Sequence, residues 1–163
     1  MSLNKRFIER FVYQSDAVRE ALPEDAAICL RMQAQLLAEL HGVEIDDDLV
    51  RYAGGSLIQT QIDSAATIWV LVRDGNVIGQ VVTRIVPESP VGKRGLDVAN
   101  LYVIPEARLP GTSLALIRQV LQQALSVGAI TVTAITGSPS LSRIYEQIGC
   151  EVEARVYALE VGL

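Results

Sequence analysis

Apolar and polar positions along the chain switch between a period of two and a helical period. The switches predict the order β-α-α-β-β-β-α-β-α-β. Ala17–Ala21 alternates and predicts a short strand. Leu22-Pro23-Glu24-Asp25 opens a helix, with proline and acids suited to a first turn. Its apolar face is read as Ala26, Ala27, Leu30, Ala34, Leu37 and Leu40, and Gly42 stops it after His41. Asp46-Asp47-Asp48 start a second helix through Val50, Ala53, Leu57 and Ile58, which Gly54-Gly55 would bend or loosen. Thr67–Arg73 and Val77–Val86 flank an Asp74-Gly75-Asn76 turn and predict a hairpin, with Gly79 as a candidate bulge. Leu96–Val103 is the next strand. Leu114–Leu125 has the clearest helical stripe: Leu114, Ile117, Leu121, Ala124 and Leu125 share one face, opposite Arg118, Gln119, Gln122 and Gln123. Ile130–Ile135 predicts a buried strand, Ser140–Ile148 a short helix closed by Gly149, and Glu151–Val161 a last alternating strand. A hairpin followed by strand–helix–strand units implies a mixed sheet with helices on its faces. Residues 1–16 carry no period and are read as an N-terminal extension, with 17–163 as a single domain.

Composition narrows the function classes. Half of the 163 residues are hydrophobic, which excludes a disordered chain. No apolar run reaches the ~18 residues of a membrane span, and the first residues lack a signal-peptide layout, so a cytoplasmic protein is expected. The net charge of −5 argues against nucleic acid or an acidic membrane as the main partner. Cys29 and Cys150 lack metal-ligand spacing, and with one histidine no metal is expected; both thiols are read as buried and inert. His41 reads as a helix-end residue, and Asp46-Asp47-Asp48 as first-turn acids rather than metal ligands.

The candidate chemistry lies between the strand Leu96–Val103 and the helix after it. In the turn Ile104–Ser113 (IPEARLPGTS), Gly111 permits close backbone approach or an unusual φ, and Thr112, Ser113 and Leu114 lie where backbone N–H groups lack intrahelical partners, with Arg108 just before them. That is an anion cradle fit for a pyrophosphate. Leu101-Tyr102-Val103-Ile104-Pro105-Glu106 precedes it, and Ile144-Tyr145-Glu146-Gln147-Ile148-Gly149 lies further along the chain. With Arg108-Leu109-Pro110-Gly111-Thr112-Ser113 between them, these segments resemble the L-x-V-x-P-E, Q/R-x-x-G-x-G/A and F/L-Y-E-K-x-G motifs of the GNAT superfamily of N-acetyltransferases.

The resemblance implies an α/β (α+β) fold with a central mixed, mostly antiparallel sheet of about six strands flanked by four helices. It implies acetyl-CoA as co-substrate and direct transfer to a primary amine, on a small molecule or a protein. Backbone groups of Leu101, Tyr102 and Val103 would hold the pantetheine and acetyl group, with an N–H near Val103 polarising the thioester carbonyl. Arg108 and the amides of Leu109, Gly111, Thr112 and Ser113 would hold the pyrophosphate. Tyr145 matches the family's general-acid tyrosine, and Asp97 stands near a position where some members carry a basic glutamate. Several features depart from the pattern: Pro110 has no N–H, Ser113 replaces a glycine or alanine, Ser138 stands for a frequent asparagine before the last helix, and Cys150 replaces the usual phenylalanine after Gly149. The alternative is a GNAT-fold module that binds acyl-CoA, or an interaction partner, without transfer. A homodimer is left open.

Overall fold

A computed structural model describes residues 16–64, 66–87 and 92–151. Residues 1–15 of the expected extension, and residues 152–161 of the expected last strand, lie outside them. Among the described residues five strands form one sheet in sequence order: β1 (Asp16–Glu20), β2 (Thr67–Arg73), β3 (Asn76–Pro87), β4 (Arg94–Val103) and β5 (Ala129–Ala134). The pairs β1–β2, β2–β3 and β3–β4 are antiparallel, whereas β4–β5 is parallel. Among the same described residues four α-helices flank the sheet: α1 (Ala26–His41), α2 (Asp47–Ser64), α3 (Thr112–Ser126) and α4 (Pro139–Ile148). This is the mixed, mostly antiparallel architecture expected from the sequence. Asp16, at the end of the expected extension, opens β1: it pairs with Arg73 of β2, and its carboxylate accepts Arg73 Nε at 2.6 Å.

Strand alternation divides the core into two layers. Cys29 and Met32 of α1 and Leu57 of α2 pack on Ile68, Val70, Val82 and Tyr102 on one face of the sheet. Leu114, Leu116, Ile117 and Val120 of α3 pack on Leu71, Val81, Leu96, Leu101 and Val103 on the other. Each fully buried leucine in that second layer contributes about 1.5–3 kcal/mol by leaving water.

Several expectations are corrected in detail. The buried face of α1 is Cys29, Met32, Gln33, Ala34 and Ala38, rotated from the predicted stripe, and Leu40 is exposed. In α3 Leu125 faces outward while Gln123 is buried, because Gln123 Oε1 accepts hydrogen bonds from Trp69 Nε1 (2.9 Å) and Thr83 Oγ1 (2.7 Å). Strand β5 is not a buried strand: Ile130 and Val132 are exposed, since among the described strands it pairs only with the first half of β4. Cys29 is buried as expected, but Cys150 is exposed. Gly54 does not break α2; a Cβ there would stand 3.3 Å from Leu30 Cδ1, so the glycine lets the two helices approach.

Strand β4 contains the irregularity that shapes the site. Val82 pairs with Asn100 and Thr83 with Val98, which leaves Ala99 as an extra residue. Such a bulge bends a strand and reverses the facing of the residues beyond it. Leu96 and Val98 before it, and Leu101 and Val103 after it, therefore all reach the α3 layer despite their opposite parity.

Candidate active site

The bulge coincides with the end of the β4–β5 pairing. Val98 opposite Ala134 is the last pair, and β4 continues through Ala99–Val103 with that edge unpaired among the described residues. Ile104 donates its N–H to Ile78 O across β3. By ladder alternation Tyr102 then bonds toward β3, and the N–H and C=O groups of Leu101 and Val103 point to the edge that β5 has left. The Tyr102 backbone is thus turned away from the gap, contrary to its expected role. Gly79 permits the close packing there, for a Cβ would meet Tyr102 O at 2.9 Å.

The gap opens at the carboxyl ends of two parallel strands, the position at which α/β sheets bind ligands. Helix α3 begins on one side of it. Gly111, at φ 90°, is its N-cap, and no side chain caps that end. The loop before it is tightly bonded: Leu109 donates its N–H to Ala107 O, Thr112 to Leu109 O and Leu114 to Gly111 O. Thr112 is buried, and its hydroxyl donates to Ala107 O. The Leu109 and Thr112 amides are therefore engaged within the turn. With Pro110 lacking an N–H, the cradle narrows to the amides of Gly111 and Ser113.

Arg108 does not face that cradle. Its Nε donates to Val103 O (2.8 Å) and its Nη2 to both carboxylate oxygens of Glu39 on α1 (2.7 and 2.8 Å). The guanidinium lies over the Tyr102 ring, 5.1 Å from its centroid, and the Tyr102 hydroxyl donates to Glu39 Oε1 at 2.7 Å. Burial works to raise the Glu39 pKa, but the bonds from Arg108 and Tyr102 outweigh it and hold the pKa below the usual range. Desolvation and the bond to Glu39 push the Tyr102 phenol far up. The sequence assigns Arg108 to an anion because it stands next to a glycine turn; in the structure its guanidinium is occupied by the edge carbonyl of Val103 and by Glu39 on α1.

Asp97 is also placed differently from its expected role. It lies before the bulge, paired across to Arg84 and Thr133. Arg84 donates to Oδ2 through both Nε and Nη2, and the Thr133 hydroxyl donates to Oδ1. A carboxylate with both oxygens engaged, short of the gap, is a cross-strand ion-pair residue. Tyr145 on α4 is partly buried against the core that contains Leu101 and Val103. Burial, with a smaller contribution from the Cys150 thiol, pushes its phenol up to about 12.

Sequence reasoning passed over a polar set under α1. Gln80 is fully buried within β3 with neither amide atom bonded, and Asn100 Oδ1 and Gln35 Oε1 are buried without partners among the described residues. Asn100 Nδ2 donates to Gln33 Oε1 at 2.9 Å. The signal was present in Gln80 and Asn100, each a polar residue beside apolar neighbours, Gln80 before Val81-Val82 and Asn100 before Leu101. Beside this set an open groove of about 410 Å³ runs between Gln35, Ala38, Glu39 and Val43 on one wall and Tyr102 and Pro105 on the other. Among the described residues no group of three His, Cys, Asp or Glu side chains is placed to hold a metal ion. No helix among them is long and apolar enough to cross a membrane.

The model of the Acetyltransferase (GNAT) family matches residues 16–149. The chain belongs to the GNAT acetyltransferase family. N-acetyltransferase family 8 member 2 of Rattus norvegicus is 32% identical over 95 residues, 57% of this chain and 42% of that protein. The chain spans less than half the length of the curated relatives it matches. Among solved structures, ribosomal-protein-alanine N-acetyltransferase from Brucella melitensis biovar Abortus 2308 has a TM-score of 0.68 at 24% identity, covering 90% of this chain and 99% of that one. A predicted acetyltransferase with acetyl-CoA from Clostridium acetobutylicum has a TM-score of 0.70 at 15% identity, covering 89% and 96%. At these identities the two structures show a shared fold.

Proposed function

We propose that this GNAT protein acetylates a primary amine, on a small molecule or a protein, by direct transfer from acetyl-CoA. The observation that carries the reading is the parting of β4 and β5 after Val98 and Ala134, beside the uncapped start of α3. When bound, acetyl-CoA would supply an activated acetyl group. The amides of Gly111 and Ser113 would hold its pyrophosphate, as free N–H groups at a helix start do. The Leu101 backbone on the unpaired edge would bond the pantetheine, and the Val103 N–H, whose own carbonyl is held by Arg108, would face the carbonyl on which negative charge develops.

The acceptor would enter by the groove on the α1 side, which meets β4 at Tyr102. Its amine must arrive neutral, because an alkylamine with a lysine-like pKa of ~10.4 is mostly protonated at pH 7. Asp97 is not retained as the base, since Arg84 and Thr133 hold it. Tyr145 is retained as the group that meets the leaving sulfur. With a pKa of about 12 it keeps its proton at neutral pH, and it would act chiefly by donating a hydrogen bond to the thiolate. Full proton transfer to the thiolate, whose conjugate thiol has a pKa of ~8.5, would be uphill.

The small number of free cradle amides favours a second reading, a GNAT module that binds acyl-CoA without transfer. One assay separates the two. The protein is incubated with acetyl-CoA and a panel of aliphatic amines, aromatic amines and peptides with free N-termini, and release of the CoA thiol is followed with mass detection of the acetylated amine. Transfer to at least one amine class supports the enzyme. Binding of acetyl-CoA with no product from any class supports the module.

A further inference from the structure

The peptide unit joining Val103 to Ile104 is held from both sides. Its N–H donates to Ile78 O at 3.0 Å, and its carbonyl oxygen accepts Arg108 Nε at 2.8 Å. A long, partly exposed arginine does not stay on one carbonyl unaided, because its rotamer freedom opposes it. Here Glu39 takes the other end of the guanidinium through both carboxylate oxygens, and the Tyr102 ring lies beneath it. The Tyr102 hydroxyl fixes Glu39 in turn. The chain of contacts runs from α1 across the end of β4 to the residue at the mouth of the gap.

Resting on the acetyl-CoA reading above, we propose that Glu39 is a positioning residue: by holding Arg108 on Val103 O, it fixes the end of β4 so that the Val103 N–H stays aimed into the gap. Fixing the Val103 carbonyl constrains the rotations of that residue, and its own N–H lies on the same edge of the strand. Charge-assisted bonds to a carboxylate are directional as well as strong, which suits this task. Glu39 also lines the acceptor groove, so one side chain joins the two halves of the site.

The test is amide NMR on the ¹⁵N-labelled protein, with CoA and acetyl-CoA compared as ligands because they differ only by the acetyl group. In the parent, the Gly111 and Ser113 amides should shift with both ligands, and the Val103 amide should shift further with acetyl-CoA than with CoA. Glu39→Gln keeps an acceptor for the Tyr102 hydroxyl but removes the charge on Arg108. In that variant Gly111 and Ser113 should shift as before, while the acetyl-dependent shift at Val103 falls at least about twofold. Arg108→Lys cannot span Val103 O and Glu39 together. It should show the same loss and keeps the test open if Glu39→Gln does not fold. An undiminished acetyl-dependent shift at Val103 in folded variants overturns the role of Glu39. If Gly111 and Ser113 do not move in the parent, the acetyl-CoA reading fails and the proposal falls with it.

Discussion

Val98 of β4 and Ala134 of β5 form the last pair of their ladder, and the extra residue Ala99 comes at once after it on β4. A bulge that bends one strand where its parallel neighbour stops leaves backbone donors and acceptors facing open space. In a family that transfers acetyl groups, that unpaired edge is the feature on which the proposed site rests.

Gly79 is the first point at which this geometry is testable. A Cβ there would stand 2.9 Å from Tyr102 O and 3.1 Å from Val103 Cγ2. Gly79→Ala should therefore displace the end of β4 and destabilise the fold by about 1–3 kcal/mol, the usual cost of overpacking. Urea denaturation measures the loss, and acetyl-CoA affinity should fall with it. A variant of parental stability and affinity would show that the end of β4 yields without cost.

Gln123 tests the polar heart of the α3 layer. It accepts from Trp69 Nε1 and Thr83 Oγ1, and Trp69 is the only tryptophan in the sequence. Gln123→Leu leaves the Trp69 indole without this acceptor, while the Thr83 hydroxyl keeps Thr67 O at 3.3 Å, and should cost about 1–3 kcal/mol for the unsatisfied indole N–H. Thermal unfolding followed by Trp69 fluorescence reads both the loss of stability and the changed environment of the indole.

How much of this was legible in the sequence depends on the kind of signal. The helix from Thr112 to Ser126 and the hairpin from Thr67 to Pro87 are set by period and turn residues, because both are local properties. The bulge was visible only as a slip in alternation: Leu96 and Val98, then Leu101 and Val103, with Ala99-Asn100 between. Its consequence, an edge without a partner, depends on where β5 stops and is not local. Arg108 shows the limit more sharply. Its neighbours Pro110 and Gly111 suggest an anion, whereas its direction is decided by Glu39, a residue 69 positions away. The partners of Asp97 are non-local in the same way, since Arg84 and Thr133 reach it from two other strands.

Tyr145 carries a prediction in pH. Burial raises its pKa from the ordinary tyrosine value to about 12. A raised pKa keeps the hydroxyl protonated until the pH rises toward that value, so its proton donation should not fade up to about pH 10. Tyr145→Phe should lower kcat by about a hundredfold to a thousandfold at every pH in that range, as removal of a single transition-state donor does. Acetyl-CoA affinity should change little. A kcat equal to the parent's would remove Tyr145 from the reaction, and a ratio of the two rates that collapses below pH 10 would contradict its raised pKa.

The most direct measurement of the central claim is a titration with acetyl-CoA, by calorimetry and in parallel by thermal unfolding. The β4–β5 gap and the Gly111–Ser113 cradle predict one molecule bound per chain and, at about 100 times the Kd, a gain in stability of about 2.7 kcal/mol. Absence of both heat and stabilisation at millimolar acetyl-CoA would contradict the account.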